Sequence, residues 1–112
     1  MEITKKSESY QPIPNNPNAQ RKIIHLDTLM VTVIEISNGP MAEPEVPHSH
    51  PHEQITYIAA GSVKLFIEDR EYLLNEGDTF KVASNLKHGI QTLTEYVKLI
   101  DSFSPIREDF LS

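Results

Sequence analysis

The feature that most constrains this chain is a hydrophobic period of two, interrupted every few residues by turn formers. Val63, Leu65 and Ile67 alternate with Ser62, Lys64 and Glu68, broken only by Phe66, and Phe80 and Val82 alternate with Thr79 and Lys81. Val97, Leu99 and Phe103 share one parity, Lys98 and Ser102 the other. Successive side chains of a strand point to opposite faces, so these are half-buried strands. Glu68-Asp69-Arg70-Glu71, Asn75-Glu76-Gly77-Asp78 and Thr94-Glu95 separate the runs and imply antiparallel hairpins. Strands are expected near residues 23–26, 29–36, 46–50, 54–59, 62–68, 71–74, 79–83, 87–94 and 96–103. Only Ser104 to Leu111 reads as helical, with Ser104 as N-cap, Pro105 at the first position, and Glu108 and Asp109 in the first turns. An open sheet of so many short strands would expose aggregation-prone edges, so an all-β sandwich or closed barrel is expected.

A chain of 112 residues has room for one such domain. Ten basic against sixteen acidic side chains leave a net charge of −6 without any Lys or Arg cluster, which argues against nucleic acid and anionic membranes as partners. The absence of cysteine removes disulfides, thiolate zinc sites and cysteine nucleophiles, leaving histidine, carboxylate and amide as metal ligands. The longest apolar run, Tyr57 to Ala60, is far short of a membrane span, and Met1 to Tyr10 is polar, so a cytoplasmic location is expected. Pro12, Pro14 and Pro17 mark residues 1–22 as an extended polar arm ahead of a barrel domain at 23–112. Such an arm, leading into Ile23-Ile24, can exchange with a partner subunit, and a homodimer is expected. Pro40, Pro44, Pro47 and Pro51 stiffen a long loop, with no regular strand expected from Gly39 to Pro47.

The chemistry concentrates in two places: His48, His50 and His52 within Pro47-His-Ser-His-Pro-His-Glu-Gln54, and His88 within Asn85-Leu-Lys-His-Gly89. Residues two apart in a strand lie on one side at roughly 7 Å, from a rise of ~3.3 Å per residue, so His48 and His50 can face one ion. Gln54 has the same parity, and His88 can complete a set of three imidazoles and one amide from a neighbouring strand. Pro51 disturbs the pleat and swings His52 to the rim; Glu53 has the outward parity; isolated His25 reads as structural or as a rim residue. On the last strand Asp101 shares the apolar parity of Val97, Leu99 and Phe103. A carboxylate on a buried face needs a partner, such as a backbone N–H or Arg107, or a task such as proton transfer, and burial raises its pKa. Arg107, in the following turn, can fold back over the barrel mouth and clamp a carboxylate bidentately.

His48-x-His50, Gln54 and Gly61 resemble the first cupin motif, and Gly77-Asp78 through Ala83, Asn85 and His88 the second. The resemblance implies a double-stranded β-helix, or jelly roll, with a metal inside. Gln54 stands where many cupins have Glu, and Ala83 and Asn85 replace a usual Pro and Gly. Three imidazoles and a neutral amide leave the charge of a divalent cation uncompensated, which makes it a stronger electrophile. Ni, Fe, Mn, Co and Zn all suit that donor set.

The run Asp101-Ser-Phe-Ser-Pro-Ile-Arg-Glu-Asp-Phe-Leu111 is similar to the C-terminal signature of the small KdgF-type cupins of pectin and alginate breakdown. That resemblance implies that His48, His50, Gln54 and His88 hold the metal and that Asp101, Phe103 and Arg107 line the reacting site. It implies a small anionic sugar as substrate and a non-redox isomerisation that opens cyclic 4,5-unsaturated uronates to keto-uronates. A metal-dependent cupin dioxygenase and a non-catalytic sugar-binding or sensory cupin are the alternatives.

Overall fold

The computed structural model describes residues 3, 5 and 10–111. Among these, nine strands run in chain order: β1 (Gln11–Ile13), β2 (Asn16–His25), β3 (Met30–Ile36), β4 (Glu53–Ala60), β5 (Val63–Ile67), β6 (Arg70–Leu74), β7 (Thr79–Val82), β8 (His88–Thr92) and β9 (Val97–Ser104). They form a six-stranded sheet in the order β1-β2-β3-β9-β4-β7 and a three-stranded sheet in the order β6-β5-β8, with every pairing antiparallel. This is the all-β architecture expected from the alternation, in the jelly-roll form that the cupin resemblance implied. No helix among the described residues is long and apolar enough to cross a membrane.

Turn chemistry sets the register. Ile67 pairs with Arg70 across a two-residue turn in which Glu68 has φ 53°. Between β6 and β7 the Asn75 N–H donates to the Asp78 carboxylate at 2.7 Å, the Asp78 N–H donates to the Asn75 carbonyl, and Gly77 supplies φ 93°.

Along β9 the inward residues are Val97, Leu99, Asp101 and Phe103, all buried. Register carries that polarity across the sheet. Val97 and Leu99 lie beside Ile36 and Ile34, and Leu99 beside Ile58, while Asp101 lies between Thr32 and Thr56, and Phe103 between Met30 and Gln54. Val63, Leu65 and Ile90 close the apolar end from the other sheet. One end of the barrel is therefore a packed aliphatic plug and the other a polar chamber. Burying one aliphatic side chain in that plug contributes about 1.5–3 kcal/mol.

Three local expectations are corrected. The segment 46–50 is not a strand; it meets the sheet at one bridge, where the His48 and His88 N–H groups each donate to the other's carbonyl at 2.9 Å. Pro44, Pro47 and Pro51 remove the donors a longer ladder needs. Ser104 to Leu111 is not a helix: Ser104 pairs with Glu53 at the end of β9, and only Glu108–Phe110 forms a 3-10 turn, preceded by Arg107 without a side-chain cap. Gln11–Ile13 and Asn16–His25, in and just beyond the segment expected to be an extended polar arm, are strands of the sheet. β2 pairs with β3 over seven residues from Ala19↔Ile36 to His25↔Met30, running through the boundary expected at residue 22. The prolines there do no harm, because Pro12 lies on an edge strand and Pro17 precedes the β2–β3 ladder.

Candidate metal centre

The polar chamber is a cavity of about 240 Å³ whose wall includes His48, Gln54, His88, Asp101, Phe103 and Arg107. β8 delivers His88, the bridge opposite it delivers His48, and the loop entering β4 delivers His50. Ligand-capable nitrogens of these three imidazoles lie within 4.8 Å of one another, the one cluster of this kind among the described residues. Their rings stand 4.3 Å (His48 to His88), 4.9 Å (His50 to His88) and 5.9 Å (His48 to His50) apart, and the His50 ring lies 5.8 Å from that of Phe103.

Hydrogen bonding aims the nitrogens. His50 Nδ1 is 3.0 Å from the His52 carbonyl and His88 Nδ1 is 2.9 Å from the Leu86 carbonyl. A carbonyl only accepts, so each Nδ1 carries the proton and each neutral ring keeps its Nε2 lone pair for the chamber. His88 Nε2 is buried there without a hydrogen-bond partner. Burial, then the neighbouring imidazoles and Arg107, press His48 down to about 4. Burial, then Arg107 and His88, hold His50 below its ordinary value. Neutral imidazoles are the form a metal takes.

Gln54 joins this set through a buried relay. Its Nε2 donates to the Thr56 hydroxyl at 2.9 Å, and that hydroxyl donates to Asp101 Oδ1. An ionised carboxylate only accepts, so the relay orients the amide with Oε1 toward the chamber, 3.1 Å from His50 Nε2. Two acceptors then face each other at hydrogen-bond distance. A cation between them removes that conflict and satisfies His88 Nε2, so His48, His50, Gln54 and His88 fit a divalent ion.

Asp101 is 5% exposed. Burial pushes its carboxyl up to about 6, against the Thr56 hydrogen bond and the field of Arg107, which both pull it down. Its direct partner is thus Thr56 and not Arg107. Arg107 does fold over the mouth: its guanidinium carbon lies 5.2 Å from the Phe103 ring centroid and 4.2 Å from that of Phe110. Its fork grips Asp109 with bonds of 3.1 and 2.9 Å, which holds the Asp109 carboxyl below its usual range. Glu53 is exposed, as its parity implied, and exposed His25 bonds the Leu26 carbonyl away from the chamber. His52 is outside the cluster and contributes its backbone carbonyl.

Residue patterns alone missed four members of the chamber. Thr56 shares the parity of Gln54, a signal that was available. Glu45 lies in the proline-rich loop and accepts the Ile90 N–H at 2.9 Å; burial raises its carboxyl, Ile90 opposes this, and Asp101 raises it further. Gly89 makes room for it, since a Cβ there would stand 3.2 Å from Glu45 Cγ. Arg21 comes from a segment without a motif, and Phe110, although inside the C-terminal run, was assigned no role.

A cupin domain model matches residues 33–103, more than half of the chain. The chain belongs to the cupin family. Among cupins it is 42% identical over 94 residues to the pectin degradation protein KdgF of Dickeya dadantii (strain 3937), covering 82% of this chain and 83% of the relative. Its structure superposes on KdgF from a Halomonas species with a TM-score of 0.83 and 30% identity, covering 96% of each chain. An RmlC-like cupin from Shewanella frigidimarina NCIMB 400 gives a TM-score of 0.81 at 30% identity, covering 98% of this cupin and 96% of that chain.

Proposed function

We propose that this cupin isomerises cyclic 4,5-unsaturated uronate monosaccharides to open-chain keto-uronates during pectin or alginate breakdown, with Asp101, Phe103 and Arg107 as the reacting-site residues. The observation that carries this reading is a buried carboxyl, Asp101, raised to about 6 on the wall of a chamber that also holds three converging histidines. The likeness to the pectin degradation protein KdgF supports the same reading. A cavity of about 240 Å³ is below the ~300–1,000 Å³ of drug-sized ligand pockets and suits one sugar ring rather than a polymer.

In net terms the reaction moves one proton from the C1 hydroxyl to C4, in two steps, and no electrons. The hemiacetal hydroxyl loses its proton as the bond from C1 to the ring oxygen breaks and the ring oxygen gains one, giving an aldehyde at C1 and an enol at C5. The enol hydroxyl then gives up its proton as C4 gains one, leaving a ketone at C5. Asp101 is suited to taking and returning these protons, because a pKa near the working pH leaves both forms populated. Thr56 holds its carboxylate in place, and Phe103 packs against the sugar. Arg107 holds the substrate carboxylate. A divalent cation held by His48, His50, Gln54 and His88 would supply Lewis acidity toward the substrate's developing oxyanions.

The test is to incubate metal-loaded protein with lyase-generated unsaturated uronate and follow the loss of the conjugated double bond. Wild type should accelerate it, and Asp101→Asn should keep its metal while losing about 10²–10⁴-fold in rate. No acceleration by wild type with its metal present would refute the isomerase and favour a sugar-binding cupin. Acceleration with zinc in the absence of oxygen would exclude the dioxygenase alternative.

A further inference from the structure

The chamber holds a second guanidinium for which the proposed reaction has no task. Arg21 projects inward from β2, two residues beyond buried Ala19, and lines the same cavity as Asp101 and Arg107. Its guanidinium carbon sits 3.9 Å from the Phe110 ring centroid, while that of Arg107 sits 4.2 Å from the same centroid. The two cations therefore lie no farther apart than the sum of those distances. The Asp109 carboxylate gripped by Arg107 also acts on Arg21 and offsets part of their mutual repulsion.

The two arginines differ in how they are occupied. Arg107 has both arms of its fork on Asp109. Arg21 makes no salt bridge among the described residues, and its Nε is buried without a hydrogen-bond partner. An orphaned, buried, charged donor costs stability unless a ligand completes it. Arg21 thus adds an unsatisfied donor for an anion beside Arg107. It stays cationic in any protein setting, and its planar fork matches a carboxylate.

The geometry points to Arg21 as the specificity-determining residue for the carboxylate of the sugar. Arg21 receives that carboxylate together with Arg107, and the two guanidiniums form the two sides of a cationic pair. This deepens the isomerase reading and rests on it for the identity of the sugar. It implies that acidic sugars are selected over their neutral esters at β2, in a segment that carries none of the cupin motifs.

The variants are Arg21→Met, which keeps the unbranched stem and its packing on Phe110, and Arg21→Lys, which keeps the charge. Both are used full-length and metal-loaded, with thermal melting and metal content measured alongside. With unsaturated uronate, Arg21→Met should raise KM about 10- to 100-fold at little cost in kcat, the loss of a charged hydrogen bond, and Arg21→Lys should restore part of it. Turnover of the uronate methyl ester should be unchanged in Arg21→Met, so discrimination between acid and ester shrinks by the same factor. A residue that only packs would depress acid and ester alike. Calorimetric titration with D-galacturonate supplies a readout independent of turnover, and Arg21→Met should weaken binding by a similar factor. Unaltered KM and galacturonate affinity, or no galacturonate binding by wild type, overturns the assignment even if wild type isomerises the uronate. If wild type fails to isomerise, the reaction is refuted, and the galacturonate arm still decides whether Arg21 is an anion site.

Discussion

Asp101 shows how one residue couples stability to chemistry. Its carboxyl is raised from 3.8 to about 6 by burial, so the folded chain holds a proton that the unfolded chain has released. Stability then falls as pH rises between those values, and the full penalty, on the order of 2–3 kcal/mol at 1.36 kcal/mol per unit, applies above the folded pKa. Metal-free Asp101→Asn should therefore be more stable than wild type at pH 7.5 by up to that amount, with the gap closing toward pH 4. Urea unfolding at both pH values checks this, and an Asn variant no more stable at neutral pH would show that the carboxylate is not penalised. Thr56→Val should act in the opposite sense. It strips a donor from Asp101 and an acceptor from Gln54, so it should destabilise the fold by about 1–3 kcal/mol. It should also move the acid limb of the activity profile upward, because the Thr56 bond is the larger of the two influences that lower Asp101. At this scale the sequence was legible where parity met an unexpected residue type. Asp101 and Gln54 stood out as polar side chains on inward positions, whereas Thr56, an ordinary strand former, did not.

Among the elements, legibility followed alternation. β5, β7 and β9 have one wet and one dry face, and period two exposed them. β2 has a single buried residue, Ala19, so its hydropathy carries no period and its prolines dominate the reading. The loop before β4 failed for the converse reason: its histidines alternate as a strand's would, yet its prolines allow one bridge. The C-terminal segment carries acceptable helix-start residues, but the β4–β9 ladder claims Ser104 and the Arg107–Asp109 pair shapes the final turn. Turns were the most readable units, and two glycines separate the reasons. A Cβ on Gly61, at φ +80°, would lie 2.3 Å from the Tyr96 carbonyl oxygen, whereas a Cβ on Gly77, at φ +93°, would meet nothing within 4 Å. Gly77→Ala should cost about 1–2 kcal/mol for conformation alone, and Gly61→Ala distinctly more, because the β4–β5 corner must also shift. Thermal unfolding of the pair checks the ranking. Equal losses would mean that the corner yields and that φ alone matters.

For the whole molecule, the division of the barrel into an aliphatic plug and a polar chamber predicts what metal removal does. The plug, built on Ile58, Val63, Leu65, Val97 and Leu99, includes none of the candidate ligands, so the fold should survive a chelator. The chamber, by contrast, gathers acceptors that oppose one another, His50 Nε2 against Gln54 Oε1, with His88 Nε2 orphaned beside them. A cation that binds only the folded chain adds RT ln(1 + [L]/Kd), about 2.7 kcal/mol at a hundredfold excess over Kd. For a domain of this size that corresponds to a rise in Tm of roughly 10 °C. Chelated protein should melt cooperatively but lower, and added nickel or zinc should restore the difference. His88→Ala should lose the shift while melting near the chelated wild type, since it removes one ligand and no part of the plug. Chelation that unfolds the protein outright would show that the chamber holds the two sheets together. A His88→Ala variant that keeps the full metal-dependent shift would move the cation away from the four residues on which the chemistry depends.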